Sequence, residues 1–288
     1  MTVSFPYAIF AGEDAFPVHL QYGFHDEELY VHTHADFSEL VIVMDGAAQH
    51  IVNGETYPIA KGDVFVISND TAHGFAAAER LRICNIMFQN DIFAHCRDIR
   101  QLSGFQALFV LEPHYARETR FVSQLKLRTD AYAVTIGLIT EMMETYTARE
   151  PGWRDELGAE FIRLCLRLSR YYRSDADSMA QEILKLADAA AYIEHHYTEP
   201  ITLSQLSETA GYSERQLLRL FRNTFGQTPQ NYISALRMKK AQKLLRSGGM
   251  PIGEVAWRCG YDDQNYFSRC FKQFSGMTPT AYRRAWER

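Results

Sequence analysis

The sequence predicts an α+β chain: an N-terminal antiparallel barrel or sandwich carrying a helical hairpin, then an all-α C-terminal domain. Three observations carry this. Short β-rich runs with turn signals fill residues 18–90, whereas from about residue 134 the apolar period becomes helical. The C-terminal third contains a duplicated unit. The length, 288 residues, suits two domains at ~150 residues each.

Composition narrows the class. With 47% hydrophobic and 23% charged residues, the chain can bury sizeable cores, which excludes a disordered, collagen-like or disulfide-scaffold protein. No apolar run approaches the ~18 residues of a membrane span, and the start lacks a basic segment followed by an apolar block, so neither membrane nor export is expected. The five cysteines are odd in number and form no Cys-x-x-Cys. That argues against a disulfide framework or zinc ribbon and for a reducing cytoplasm.

The strands come first. Residues 40–44 (LVIVM), 50–52 (HIV) and 63–67 (DVFVI) read as short strands, with Asn53-Gly54 a tight hairpin turn and Lys61-Gly62-Asp63 another turn. Helices follow. Ile136, Ile139, Met143 and Tyr146 share a face. After Pro151-Gly152, the residues Leu157, Phe161, Leu164, Leu168 and Tyr171 recur at steps of 4, 3, 4 and 3, a heptad-like seam. Two such helices form an antiparallel hairpin over 134–172. The seam packs either on its own barrel or on a second copy, and its length and regularity favour a homodimer. The polar stretch after Tyr172 reads as a linker, which divides the chain into an N-terminal domain (1–172), a linker (173–180) and a helical domain (181–288).

In the helical domain, Leu203, Leu206, Gly211 and Tyr212 match Ile252, Val255, Gly260 and Tyr261 at an offset of 49. Arg219, Phe221, Gly226, Thr228, Pro229 and Tyr232 match Arg269, Phe271, Gly276, Thr278, Pro279 and Tyr282 at an offset of 50. Each unit reads helix, tight turn, helix. In the first, Ser204 is a candidate cap, Gly211 ends the short helix in a left-handed conformation and Ser213 caps the next, with Leu217, Leu220 and Phe221 facing inward. This is a helix-turn-helix, over about 203–225 and again over 252–274, whose second helix enters the DNA major groove. Subtracting the apolar face leaves Ser213, Glu214, Arg215, Leu218, Arg219 and Arg222 on one exposed edge. The matching edge holds Gln264, Asn265, Ser268, Arg269 and Lys272. Arginine suits the guanine edge, Gln or Asn suits adenine, and Leu218 suits a thymine methyl. Residues 229–247 read as one connecting helix, ~26 Å long against a groove repeat of ~34 Å, which favours bent DNA or unequal insertion. Charge agrees: residues 1–180 carry 15 Lys+Arg against 25 Asp+Glu, and residues 181–288 carry 15 against 10, so the basic third is the one that meets a polyanion.

These units, with GQTPQNYI and GMTPTAYRR closing them, resemble the AraC/XylS family of bacterial transcription regulators. The resemblance implies one DNA-binding domain that contacts two adjacent major-groove segments through those edges. Upstream, His32-Thr-His34, then Glu39 and Gly46, then Tyr57-Pro58, Lys61-Gly62-Asp63 and His73 resemble the two motifs of a cupin barrel, in the form found in sugar-responsive members such as rhamnose-operon regulators. In metal-binding cupins such residues converge. Alternation puts His32 and His34 on one strand face, and three imidazoles with one carboxylate, His32, His34, His73 and Glu39, suit Zn, Fe, Mn or Ni. The other reading is that the four hydrogen-bond an organic ligand with no metal. An eight-strand-sized barrel encloses one small ligand, here a monosaccharide, with Tyr7, Phe10, Phe16 and Tyr22 closing over the mouth.

The expectation is an effector-responsive, sequence-specific transcription regulator rather than an enzyme. Its expected partners are double-stranded DNA, a sugar, RNA polymerase and a second copy, and a divalent metal is an open cofactor. The alternative is a cupin metalloenzyme or metal sensor fused to a DNA-binding domain.

Overall fold

The computed structural model describes residues 3–11, 16–26, 29–96, 98–118, 121, 125–172 and 178–286. The chain divides into two compact units, Met1–Ala187 and Asp188–Arg288. Of the expected linker, residues 173–177 lie outside the described residues, and 178–180 open a helix.

The first unit runs β1 (Val3–Phe5), the helical turn α1 (Ala8–Ala11), β2 (Val18–His25), β3 (Leu29–His34), β4 (Ser38–Val52), β5 (Glu55–Ala60), β6 (Asp63–Ile67) and β7 (His73–Phe88). Two 3-10 turns follow, then α2 (Ser103–Phe105), a π-helical turn (Gln106–Leu111), α3 (Glu112–Glu118) and β8 (Leu125–Lys126). The hairpin α4 (Thr129–Ala148) and α5 (Trp153–Tyr171) completes the elements before the linker. The eight strands form one sheet in the order β1-β3-β7-β4-β6-β8, with β2 added on β7 and β5 on β4.

The two long strands hold the sheet together by changing partners midway. Residues 39–42 of β4 pair with β6 and residues 47–52 with β5, while β7 pairs with β3 near His73 and with β2 over 81–88. The runs 40–44 and 50–52, expected as two strands, are one strand with register shifts between Val43 and Gln49. Such bulges bend a strand so that one sheet covers itself. Gly46 sits at the bend with φ +76, where an added Cβ would lie 2.3 Å from the Arg80 carbonyl oxygen. Asn53 (φ 50) and Gly54 (φ 89) form the expected hairpin turn. Inside lie Val41, Val43, Phe65, Ile67, Phe75, Leu81, Ile83 and Phe121.

The α5 seam turns inward. Leu157, Phe161, Leu164 and Leu168 have no exposed surface, and the Phe161 ring lies 5.4 Å from Phe88 and 5.9 Å from Phe93. The seam therefore belongs to the core of its own unit, which corrects the expectation of a homodimer through it. The reason is that an amphipathic stripe has the same spacing whichever apolar surface it covers.

From α6 (Ser178–His196) the chain is helical: α7 (Leu203–Ala210), α8 (Glu214–Phe225), α9 (Pro229–Arg246), α10 (Ile252–Arg258), α11 (Gln264–Ser275) and α12 (Pro279–Trp286). Both helix-turn-helix units stand where the repeat put them. Thr202, not Ser204, caps α7, in a capping box with Gln205, and Ser213 caps α8 in a second box with Gln216. Gly211 ends α7 at φ 63. The connecting helix α9 packs Met238, Ala241 and Leu245 against Val255, Phe267, Phe271 and Tyr282 of the second unit. Its Arg237 guanidinium donates to the carbonyls of Tyr197, Glu199 and Gly260, which ties α9 to two loops.

Candidate functional site

Strand geometry assembles a buried polar cluster in the first unit. His32 and His34 are two apart on β3 and so share a face. His73, the first residue of β7, pairs directly opposite His32, and Glu39 stands at the start of β4. The Nε2 atoms of His34 and His73 are 3.2 Å apart, and the same Glu39 Oε2 lies 3.6 Å from His34 Nε2 and 3.5 Å from His73 Nε2. Donor atoms of His32, His34 and His73 all fall within 4.8 Å of one another. His32 is the half-buried member, and its Nδ1 is 3.2 Å from the Tyr30 carbonyl oxygen. The structure thus brings all four sequence-selected residues together.

Burial sets their protonation. It pushes His34 down to about 3, helped by His32. It holds His73 well below the usual imidazole value, with smaller contributions from His34, His50 and His32. Desolvation lowers His32 against the pull of the Tyr30 carbonyl and raises Glu39 to about 8. At neutral pH the imidazoles are neutral, and the carboxyl is largely protonated.

The cluster lines a cavity of about 470 Å³. Three aromatics stand at the exposed part of the lining, Tyr22 at 37%, Tyr30 at 60% and Phe24 at 67% exposure, beside Ile9 and Gln21. Of the aromatics expected to close the mouth, Phe10 and Tyr22 line the cavity. Tyr7 and Phe16 do not: Tyr7 is buried and donates its hydroxyl to the Phe16 carbonyl, and Phe16 packs edge-on to Trp153.

Sequence reasoning missed three polar residues here. Gln21 and Asn85 face each other across β2 and β7 and line the cavity, and Asn85 Oδ1 is buried with no hydrogen-bond partner among the described residues. An asparagine inside the apolar run LRICNIMF was the available signal. His50 lies behind His73, fully buried between Phe65, Phe75 and Phe121.

In the second unit the helical edges are as expected. Glu214, Arg215, Arg219 and Arg222 are exposed and with half-buried Leu218 line one shallow concavity on α8, opposite buried Leu217 and Phe221. On α11, Gln264, Asn265, Arg269 and Lys272 are exposed opposite Phe267 and Phe271. Two side chains are already engaged: the Ser213 hydroxyl donates to Gln216 Oε1, and the Ser268 hydroxyl donates to the Gln264 carbonyl. The Arg269 guanidinium lies 5.8 Å from the Tyr266 ring centroid, an aromatic support that the repeat alignment did not single out.

Two families match. Residues 206–285 match a helix-turn-helix domain and residues 19–133 an AraC-like ligand binding domain. The chain is 27% identical to the HTH-type transcriptional activator RhaS of Enterobacter sp. over 251 residues, covering 87% of this chain and 86% of that protein. It is 29% identical to the HTH-type transcriptional activator RhaR of Klebsiella pneumoniae over 260 residues, covering 88% and 86%. Among solved structures, the C-terminal domain of the response regulator yesN from Fusobacterium nucleatum is 38% identical, with a TM-score of 0.32, over 33% of this chain and 93% of that one.

Proposed function

This chain belongs to the AraC family of DNA-binding transcription regulators, and from that premise we propose that it is an activator whose cavity senses a monosaccharide to control carbohydrate-use genes. The observation that carries the sugar reading is the cavity's division. Its buried end carries the polar groups of Asn85 and the histidine cluster, and its exposed rim holds Tyr22, Phe24 and Tyr30 beside Ile9 and Gln21. A sugar presents hydroxyls on its edge and C–H groups on its faces, and such a cavity meets both. Two relatives that the chain resembles over most of its length are the HTH-type transcriptional activators RhaS and RhaR, which supports a regulatory rather than enzymatic role. DNA is read by the exposed edges of α8 and α11, with Arg219 and Arg269 as base-reading residues. RNA polymerase is the further partner in activation, and the cytoplasm is the compartment. No described helix is long and apolar enough to cross a membrane. We also propose that two copies pair through the outer face of α4, where Val134 and Gly137 are exposed, rather than through the buried α5 seam.

The test begins with DNA selected by the purified full chain from a random library. Its affinity is then measured by fluorescence anisotropy against a panel of monosaccharides, with thermal melting in parallel. One sugar is expected to raise the melting midpoint and change DNA affinity by roughly 5–150-fold. A protein that binds its selected DNA but shows no change in melting or affinity with any monosaccharide overturns the sugar reading.

A further inference from the structure

Building on the reading of DNA by the edges of both α8 and α11, we infer that Arg237 is a positioning residue. It locks the angle between the two helix-turn-helix units and so sets the spacing of DNA segments that the protein accepts. Arg237 stands midway along α9 and is half-buried. Its three guanidinium nitrogens each donate to a different carbonyl: Nε to Tyr197, Nη2 to Glu199 at 2.8 Å and Nη1 to Gly260 at 2.9 Å. Tyr197 and Glu199 belong to the loop between α6 and α7, just ahead of the Thr202 cap that opens the first unit. Gly260 lies in the turn between α10 and α11, inside the second unit. One side chain thus ties the entry of one unit to the turn of the other.

The two segments also touch directly. Gly260 adopts φ +83, and a Cβ there would lie 2.5 Å from the Thr198 carbonyl oxygen and 3.1 Å from the Arg237 guanidinium carbon. Only a glycine lets the turn approach the loop so closely. The guanidinium carbon lies 5.4 Å from the Tyr261 ring centroid, and one turn further along α9 the Lys240 ammonium lies 5.8 Å from the Tyr197 ring centroid.

Apolar packing does not supply the same lock. The first unit holds the N-terminal half of α9, where the Tyr232 ring lies 5.6 Å from Phe221 and 5.2 Å from Phe225. The second unit holds the C-terminal half through Met238, Ala241 and Leu245. Apolar contact is non-directional, so it keeps each unit on α9 yet leaves each free to roll about the helix axis. Hydrogen bonds from a planar guanidinium are directional, and three of them from one rigid fork to two separate segments stop the roll. The angle matters because DNA is helical. Moving one contacted segment by a base pair shifts it by ~3.4 Å and turns it by ~35°. A locked junction meets one spacing, whereas a loose one follows the DNA.

The experiment uses the full chain and the DNA it selects. Hydroxyl-radical footprinting locates the contacted segments, and one base pair is then inserted or deleted between them. By anisotropy, wild type is expected to lose at least about thirtyfold on either shifted DNA, since one reading edge has to surrender its bases. Arg237→Met keeps an apolar stem without the donors. It should bind the original DNA roughly tenfold more weakly, because a loosened second unit has a lower effective concentration, and lose less than about threefold on the shifted DNAs. Arg237→Lys keeps the charge but not the fork, and the same flattening is expected of it. Circular dichroism and melting curves check that each variant is folded, and the lysine variant carries the test should the methionine variant misfold. A folded Arg237→Lys protein that keeps the full wild-type spacing penalty overturns the inference and leaves Arg237 a role in stability alone. So does a wild type that footprints two segments yet is indifferent to their spacing. A footprint confined to one segment refutes the two-edge reading itself and takes this inference with it.

Discussion

Phe161→Ala distinguishes an internal α5 seam from one that pairs two copies. Phe161 has no exposed surface, as do Leu157 and Leu164 on either side of it, and its ring sits against Phe88 and Phe93. These neighbours belong to a strand end and a 3-10 turn, so they close only partly over the space vacated by the ring. Truncating such a phenylalanine costs about 3–5 kcal/mol in lost transfer energy and residual cavity. For a unit of this size each kcal/mol moves the melting midpoint by roughly 2–4 °C, so the fall should be about 6–20 °C. Scanning calorimetry reads the midpoint, and sedimentation equilibrium at a temperature where both proteins are folded reads the association state. The expected outcome is a large drop in midpoint with no change in association. An unchanged midpoint, together with dissociation of a wild-type dimer, would refute the internal assignment and restore the seam to a partner.

Three further outcomes are expected. Arg219→Ala and Arg269→Ala should each cost about 1–3 kcal/mol on selected DNA and much less on random DNA; equal losses on both, by anisotropy, leave them only a phosphate role. Burial holds His50 at about 3, so as pH falls below 6.5 the unfolded chain takes a proton that the folded chain refuses, removing about 2 kcal/mol of stability by pH 5. His50→Leu should therefore lose less stability than wild type between pH 7.5 and 5 in calorimetry, and parallel curves would contradict this. Gly46→Ala, which combines a left-handed φ with a Cβ 2.3 Å from a carbonyl oxygen, should cost at least about 2 kcal/mol in urea unfolding; an unaltered midpoint would mean that the bend in β4 relaxes freely.

The helical domain was legible from the sequence because its determinants are local. Thr228 ahead of Pro229 caps α9, Ser213 caps α8, and Gly211 supplies a left-handed C-terminus. Each acts within four residues of itself, and the duplication states the pattern twice. The apolar faces follow from helical period, so the exposed edges of α8 and α11 follow by subtraction. In the cavity, His32 and His34 were legible because a strand alternates strictly over two residues, and the motif spacing indicated Glu39 and His73 as their partners.

Only the tertiary structure decided what depends on distant chain. Along β4, Glu39, Val41 and Val43 point into the unit, yet so do Ala48, His50 and Val52, because the bulges around Gly46 invert the alternation. No count of residues reveals an inversion that the pairing with β7 imposes, so His50 stayed hidden. The α5 seam was ambiguous for the same reason: its period records that an apolar surface lies opposite but not which chain supplies it, and Phe88 and Phe93 settle that in space. Likewise the 3.2 Å between two imidazoles on β3 and β7 is a property of strand register. The sequence by itself determined the local elements and the residue types available to the site. Burial, partner and spacing came with the fold, since each is a relation between segments far apart along the chain.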